Sequence, residues 1–342
     1  MSRHDQSSES APRPAGLRAK LRGILIPFTT PFDAEGGVDV RAVRANVGRW
    51  IGTGVSGYVA LGSTGERVHL DEDERLMVVE AAREAAPLES AYVVGVGAHS
   101  TRGTIRETAA AARAGADAVL VITPHFYRAS MTQEALLTHY RAVADASPVP
   151  LILYNIPQNT GVALAPETVA SLSEHANVAG IKDSSGDVVN FAEMLRQAGG
   201  RGSKREHQHG REFVSMTGHA GVLYPALAAG AGGAVLAVAC VVPELCVAVH
   251  QAFRAGDHAR ARALGERLLP VARAVTTRYG IGGLKFALDL RGYAGGRVRA
   301  PLRMPDAEAR SEIARLLEEA ADFDDANSAE VVNRQSSIVN RG

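Results

Sequence analysis

A chain of 342 residues, 46% hydrophobic and 22% charged, is long enough for one large α/β barrel or two smaller domains. Its 37 basic and 37 acidic residues cancel, which gives no electrostatic basis for binding nucleic acid or an anionic membrane surface. Cys240 and Cys246 stand in apolar surroundings at no CxxC or metal-ligand spacing, as expected of buried, reduced thiols in a cytoplasmic protein.

Residues 1–20 are polar, rich in Ser, Pro and Arg, and lack an apolar h-region, so a disordered tail is expected in place of a secretory signal. Gly23-Ile-Leu-Ile-Pro27 then reads as a short strand stopped by proline. Val40, Val43, Val47, Trp50 and Ile51 fall on one face of a helix spanning about 38–53. A second strand, Gly57-Tyr-Val-Ala-Leu61, ends in Gly62-Ser-Thr-Gly-Glu66, and an acidic first turn opens a helix from Asp71. Tyr92–Val96 and Ala118–Ile122 are the third and fourth strands, separated by an Ala-rich helix over 101–114. After a helix at 132–146 the fifth strand, Pro150-Leu-Ile-Leu-Tyr154, runs into Asn155-Ile-Pro-Gln-Asn159. A helix at 166–174 leads to the sixth, Val178–Ile181, which ends in Lys182-Asp-Ser-Ser-Gly-Asp187 before a helix over 188–197. Phe213–Met216 and Gly233–Ala237 complete the set, with helices near 219–229 and 243–255.

Eight βα units about 25 to 35 residues apart, with near-continuous apolar strands, predict a closed parallel (β/α)8 TIM barrel over 21–256. Residues 257–321 read as extra helices packed on it, and 322–342 as a second disordered tail. The nearly uncharged stretch from Leu223 to Val249 is broken by Pro225, Pro243 and Glu244, so it is not read as a membrane span.

In such a barrel the strand C-termini and the loops after them face the ligand. Lys182 stands there, one of only four lysines among the 37 basic residues. A partly desolvated amine at that place can attack a carbonyl and form a Schiff base; the plainer reading is a solvated lysine capping a strand. Ser63 and Thr64, between Gly62 and Gly65, could hold a carboxylate or phosphate with backbone N–H groups, or form a tight turn only. Tyr154 could relay a proton or pack in the core. Tyr127 and Phe126 could line the site or a subunit interface. Gly52-Thr-Gly-Val-Ser-Gly57 matches GxGxxG but follows a helix and precedes a strand, the reverse of a dinucleotide fingerprint. Glu206-His-Gln-His209, with His219, is read as a solvated loop and not as a metal site.

The triple of Gly-Ser-Thr-Gly-Glu after strand two, Tyr-Asn-Ile-Pro after strand five and Gly-Ile-Lys-Asp-Ser-Ser-Gly-Asp at strand six resembles the dihydrodipicolinate synthase / N-acetylneuraminate lyase family of class I aldolases. The likeness runs from about Gly23 to about Leu317. It implies a pyruvate-dependent carbon–carbon lyase with Lys182 as the Schiff-base lysine, no metal or organic cofactor, and a homotetramer built from dimers. It further implies that Tyr154 relays the proton and that Gly62, Ser63 and Thr64 bind the 2-oxo acid carboxylate. Thr64 would link Tyr154 to a further hydroxyl. In the family that hydroxyl is a tyrosine after strand four, donated by a neighbouring subunit; Phe126 stands there, with Tyr127 adjacent. Synthases of the family usually carry an arginine two residues after the proline of Tyr-Asn-x-Pro, to hold the aldehyde's carboxylate; Asn159 occupies that place here. Asn159, with Arg278-Tyr-Gly-Ile-Gly-Gly-Leu-Lys285 and Gly292–Leu302, is closer to the 4-hydroxy-2-oxoglutarate aldolase branch. Pyruvate and an aldehyde are the expected partners. A synthase-like condensation, a 2-oxo acid dehydratase or decarboxylase, and a barrel that binds a 2-oxo acid without turnover are the alternatives.

Overall fold

The computed structural model describes residues 16–199 and 213–320. Eight strands close a parallel barrel in sequence order: β1 (Ile24–Pro27), β2 (Gly57–Ala60), β3 (Ala91–Val96), β4 (Ala118–Ile122), β5 (Leu151–Asn155), β6 (Val178–Asp183), β7 (Val214–Thr217) and β8 (Gly233–Val235). β8 returns to β1 through Ile24↔Ala234 and Leu25↔Val235. Each strand is buried on both faces, which is why the strands read as apolar runs without alternation. Leu25, Val59, Val93, Leu120, Ile152 and Met216 fill the barrel interior, while their strand neighbours, such as Leu153 and Ile181, pack outward under the helices.

The helices begin where the side chains can cap them. Asp39 accepts from the Arg41 and Ala42 N–H groups, and Asp71 with Glu74 forms a reciprocal capping box on the helix Glu72–Ala85. Ser100, Thr132 and Asp257 cap three more. The GxGxxG stretch is the loop between the helix Val40–Trp50 and β2. Leu223–Val249 divides into a helix, β8, a 3-10 turn and the start of the helix Pro243–Arg254. Among the described residues no helix is long and apolar enough to cross a membrane.

Three expectations need correction. Leu17–Lys20, placed in the disordered tail, forms a helical turn whose Leu17 packs with Leu21 against the base of the barrel interior; residues 1–15, 200–212 and 321–342 lie outside the described residues. β8 stops at Val235, and Ala237–Cys240 turns as a 3-10 helix. The helical stretch over 258–292 is broken into His258–Ala272, a π-helical turn at Arg273–Arg278 and Gly280–Leu290. Pro270, inside the first of these, has no N–H to donate. A last helix covers 307–320.

The segment after Leu290 clamps the barrel. Tyr293 stacks on Trp50 with ring centroids 5.3 Å apart, and Ala294 exchanges two 2.8 Å hydrogen bonds with the Asn46 side chain. Beneath it Lys285, fully buried, places Nζ 2.6 Å from Oε1 of Glu66, itself 1% exposed. Lys285 Nζ also donates to the Arg297 carbonyl at 2.7 Å, and Arg299 N–H donates to Glu66 Oε2 at 3.1 Å. Breaking a buried pair leaves an uncompensated charge. Lys285→Met is therefore expected to cost about 3–5 kcal/mol in urea unfolding, and Glu66→Gln added to it should return part of that loss; equal stability of wild type and Lys285→Met would show that the pair does not hold the fold.

Candidate active site

Lateral pairing in a parallel sheet puts partners on the same face. Tyr154 of β5 pairs with Lys182 of β6, and Lys182 pairs with Met216 of β7. Tyr154 and Met216 belong to the interior cluster, so Lys182 also points inward, one layer from the top of the barrel. It is 4% exposed, and Nζ lies 4.3 Å from the centroid of the Tyr154 ring. Among the described residues no carboxylate pairs with it, in contrast to Lys285. The amine is therefore held against a π face with no carboxylate engaging it.

The neighbouring residues hold this strand end rigid. Asn155 and Asp183 are also register partners, and the Asn155 amide donates to Asp183 Oδ1 at 2.6 Å while its Oδ1 accepts from Leu164 N–H at 3.0 Å. Ser185 Oγ donates to Asp183 Oδ2 at 2.7 Å. Burial raises the Asp183 carboxyl above its ordinary pKa, and the hydrogen bonds from Ser185 and Asn155 oppose that rise. Gln158 Nε2 donates to the Ser184 carbonyl at 2.8 Å, which ties the turn after β5 to the segment after Lys182. Gly218, just past β7, is the close approach on the other side: a Cβ there would stand 2.8 Å from Lys182 Cε.

The loop after β2 completes the group. Ser63–Gly65 form a 3-10 turn, and Glu66 follows in the left-handed region at φ 54°. Thr30 Oγ1 donates to the Gly65 carbonyl at 2.8 Å, and the buried Lys285–Glu66 pair fixes the far end. This turn brings Ser63 Oγ to 3.1 Å from Tyr154 Oη. The hydroxyl that meets the phenol is Ser63 Oγ, and Thr64 is buried alongside. Which of two adjacent residues faces the barrel depends on the turn's dihedrals, which the sequence does not display.

Lys182, Tyr154 and Ser63 come together, with Gly62 and Thr64 lining the same turn. Tyr127 does not join them: it is 70% exposed and packs edge-on against Phe126, itself 71% exposed, with centroids 5.1 Å apart. Asn159 is exposed in the short helix Pro157–Thr160. His219 sits at the mouth with its ring against Gly186, whose Cβ would lie 3.3 Å from His219 Cδ2; Glu206–His209 fall outside the described residues. The sequence reading assigned no part to Asn155, Asp183, Glu66, Lys285 or Gly218, although the first four stand inside the motifs it quoted. Cys240 and Cys246 are free and buried, and burial pushes both thiols up.

The dihydrodipicolinate synthetase family model matches residues 20–320. A 4-hydroxy-tetrahydrodipicolinate synthase of Nitrobacter hamburgensis is 38% identical over 285 residues, covering 83% of this chain and 92% of that protein. A structure of a monomeric dihydrodipicolinate synthase variant superposes with a TM-score of 0.82 at 27% identity, covering 89% and 98% of the two chains. A chloride-inhibited dihydrodipicolinate synthase from Acinetobacter baumannii, complexed with pyruvate, gives a TM-score of 0.79 at 30% identity, covering 88% and 99%.

A Cβ at position 218 would fall 2.0 Å from Ser184 Oγ and 2.8 Å from Lys182 Cε, so Gly218→Ala is expected to push both side chains aside. A displacement on the order of 1 Å is expected to slow borohydride trapping of pyruvate on Lys182 by about 100-fold, with circular dichroism unchanged. Trapping at the wild-type rate would show that this contact does not position the lysine.

Proposed function

The chain belongs to the dihydrodipicolinate synthetase family, and on that premise we propose that it joins pyruvate to an aldehyde through an enamine held on Lys182. Enzymes of this family are pyruvate-dependent carbon–carbon lyases and synthases that use a lysine Schiff base and no external cofactor. The observation that carries the reading is the isolated, inward-facing Lys182 amine over the Tyr154 ring, with Ser63 on the phenol.

Lys182 Nζ, in its neutral form, attacks the ketone carbon of pyruvate and water leaves, giving a protonated imine. The imine withdraws electrons from the C2–C3 bond, a C3 proton is lost, and the enamine carbon attacks the aldehyde. Tyr154 Oη supplies the proton that the new C4 alkoxide takes up, and Ser63 Oγ holds that phenol in place. Water then releases the product from Lys182. In the cleavage direction the same groups act in reverse. N–H groups and hydroxyls of Gly62, Ser63 and Thr64 receive the pyruvate carboxylate. The curated relative's name favours condensation of the synthase type. Asn159, in the place where synthases of the family usually carry arginine, favours the second reading, a 4-hydroxy-2-oxoglutarate aldolase. A tetramer would cover the exposed Phe126, Tyr127 and Val68 side chains, and two reduced thiols accord with the cytoplasm.

Intact mass after incubation with pyruvate and borohydride should show a reduced pyruvyl adduct that peptide mapping places on Lys182 and that Lys182→Ala abolishes. Folded wild-type protein without an adduct would overturn the reading. Tyr154→Phe should still form the adduct but turn over about 10²–10⁴ times more slowly. Release of pyruvate from 4-hydroxy-2-oxoglutarate, measured against condensation with a semialdehyde, separates the two branches.

A further inference from the structure

Both readings of the reaction involve a dicarboxylate. A dipicolinate skeleton and 4-hydroxy-2-oxoglutarate each carry two carboxyl groups; pyruvate brings one, so the aldehyde brings the other. The active site then needs a cation for the second carboxylate, and Asn159 offers an amide with no charge.

A guanidinium reaches the same turn from a different strand end. Arg128 opens the 3-10 turn Arg128–Ser130 after β4. Its side chain crosses to Gly161, where a Cβ would fall 2.7 Å from Arg128 Cδ and 2.9 Å from Nη1. Gly161 is the left-handed residue, at φ 67°, that ends the helix carrying Asn159. The dihedral favours glycine there, and the arginine occupies the space a side chain would take. That helix is fastened to the site by the Gln158–Ser184 hydrogen bond, two residues from Lys182. Three other arginines near the β2 and β3 ends are already engaged by carboxylates: Arg67 and Arg75 share Glu107, and Arg299 pairs with Glu74. Among the described residues the Arg128 guanidinium has neither a carboxylate nor a hydrogen-bond partner.

We propose that Arg128 binds the carboxylate of the aldehyde substrate, supplying from the loop after β4 the charge that position 159 lacks. It is a specificity-determining residue for a short aldehyde bearing a carboxylate, and the assignment rests on the pyruvate-dependent reading above. Because the guanidinium lies on an exposed turn, its replacement leaves the buried core untouched.

The test compares succinic semialdehyde with butanal, which have the same chain length and differ by one carboxylate, on wild type and Arg128→Met. With pyruvate saturating, kcat/KM for succinic semialdehyde should fall roughly 10- to 100-fold in the variant, the worth of a charge-assisted hydrogen bond, while that for butanal stays near the wild-type value. Asn159→Arg in the Arg128→Met background should restore part of the loss. Equal losses for both aldehydes, or no loss for either, would overturn the assignment. Borohydride trapping of pyruvate on wild-type Lys182 is the separate control: if it fails, the aldolase reading fails, whereas intact trapping with equal losses counts against Arg128 alone.

Discussion

The buried contact between Glu66 and Lys285 is the constraint on which the site depends. Taking both charges out of water is costly, and burial lowers the Lys285 pKa against the opposing pull of Glu66. Further contacts offset part of that cost. Lys285 also donates to the Arg297 carbonyl, and Glu66 Oε2 accepts from Arg299 N–H and contacts His69 Nδ1 at 3.1 Å. The Lys285 amine and the Arg299 guanidinium lie 4.2 and 4.3 Å from the centroid of the Phe32 ring. Arg299 extends the knot outward, bonding the Gly36 and His69 carbonyls and both oxygens of Glu74. One segment near residue 299 thus binds the loop after β1, the loop after β2 and the helix behind it. Glu66 is forced into the left-handed region at the point where this knot meets the turn that aims Ser63 at Tyr154.

The two buried lysines sit in opposite environments. Lys285 has a carboxylate at 2.6 Å and a carbonyl at 2.7 Å. Lys182 has an aromatic face at 4.3 Å and glycine at its flank. The first arrangement engages the amine with fixed acceptors, against the cost of burial. The second leaves the nitrogen without a fixed anion, beside a phenol that is already hydrogen-bonded and at the end of the barrel where substrates enter.

The barrel was legible because strands buried on both faces leave continuous apolar runs, and because Asp39, Asp71, Ser100 and Thr132 mark helix starts chemically. Lys182 and Tyr154 were legible for a related reason, since a polar side chain at the end of such a run must face the mouth. The partner of Glu66 was not, because it lies 219 positions away in a helix after the barrel, and no local pattern records such a distance. Leu17 and Leu21, four apart, did carry a local signal for the first helical turn, but the polar composition around them obscured it. Arg128 was hidden in another way: its place is defined by the empty side of Gly161, and a glycine in a sequence does not say what fills the space it leaves.

A chain is made from its N-terminus, and the order in which these parts appear matters. Ser63, Tyr154 and Lys182 are all synthesised by position 182, yet β1 finds its second neighbour only when β8 arrives, and Glu66 finds its countercharge only at Lys285. Contacts of this span close late, after the entropy of a long loop has been lost. A nascent chain that already contains Lys182, Tyr154 and Ser63 therefore lacks the contact that fixes the far end of the Ser63 turn until Lys285 has been made.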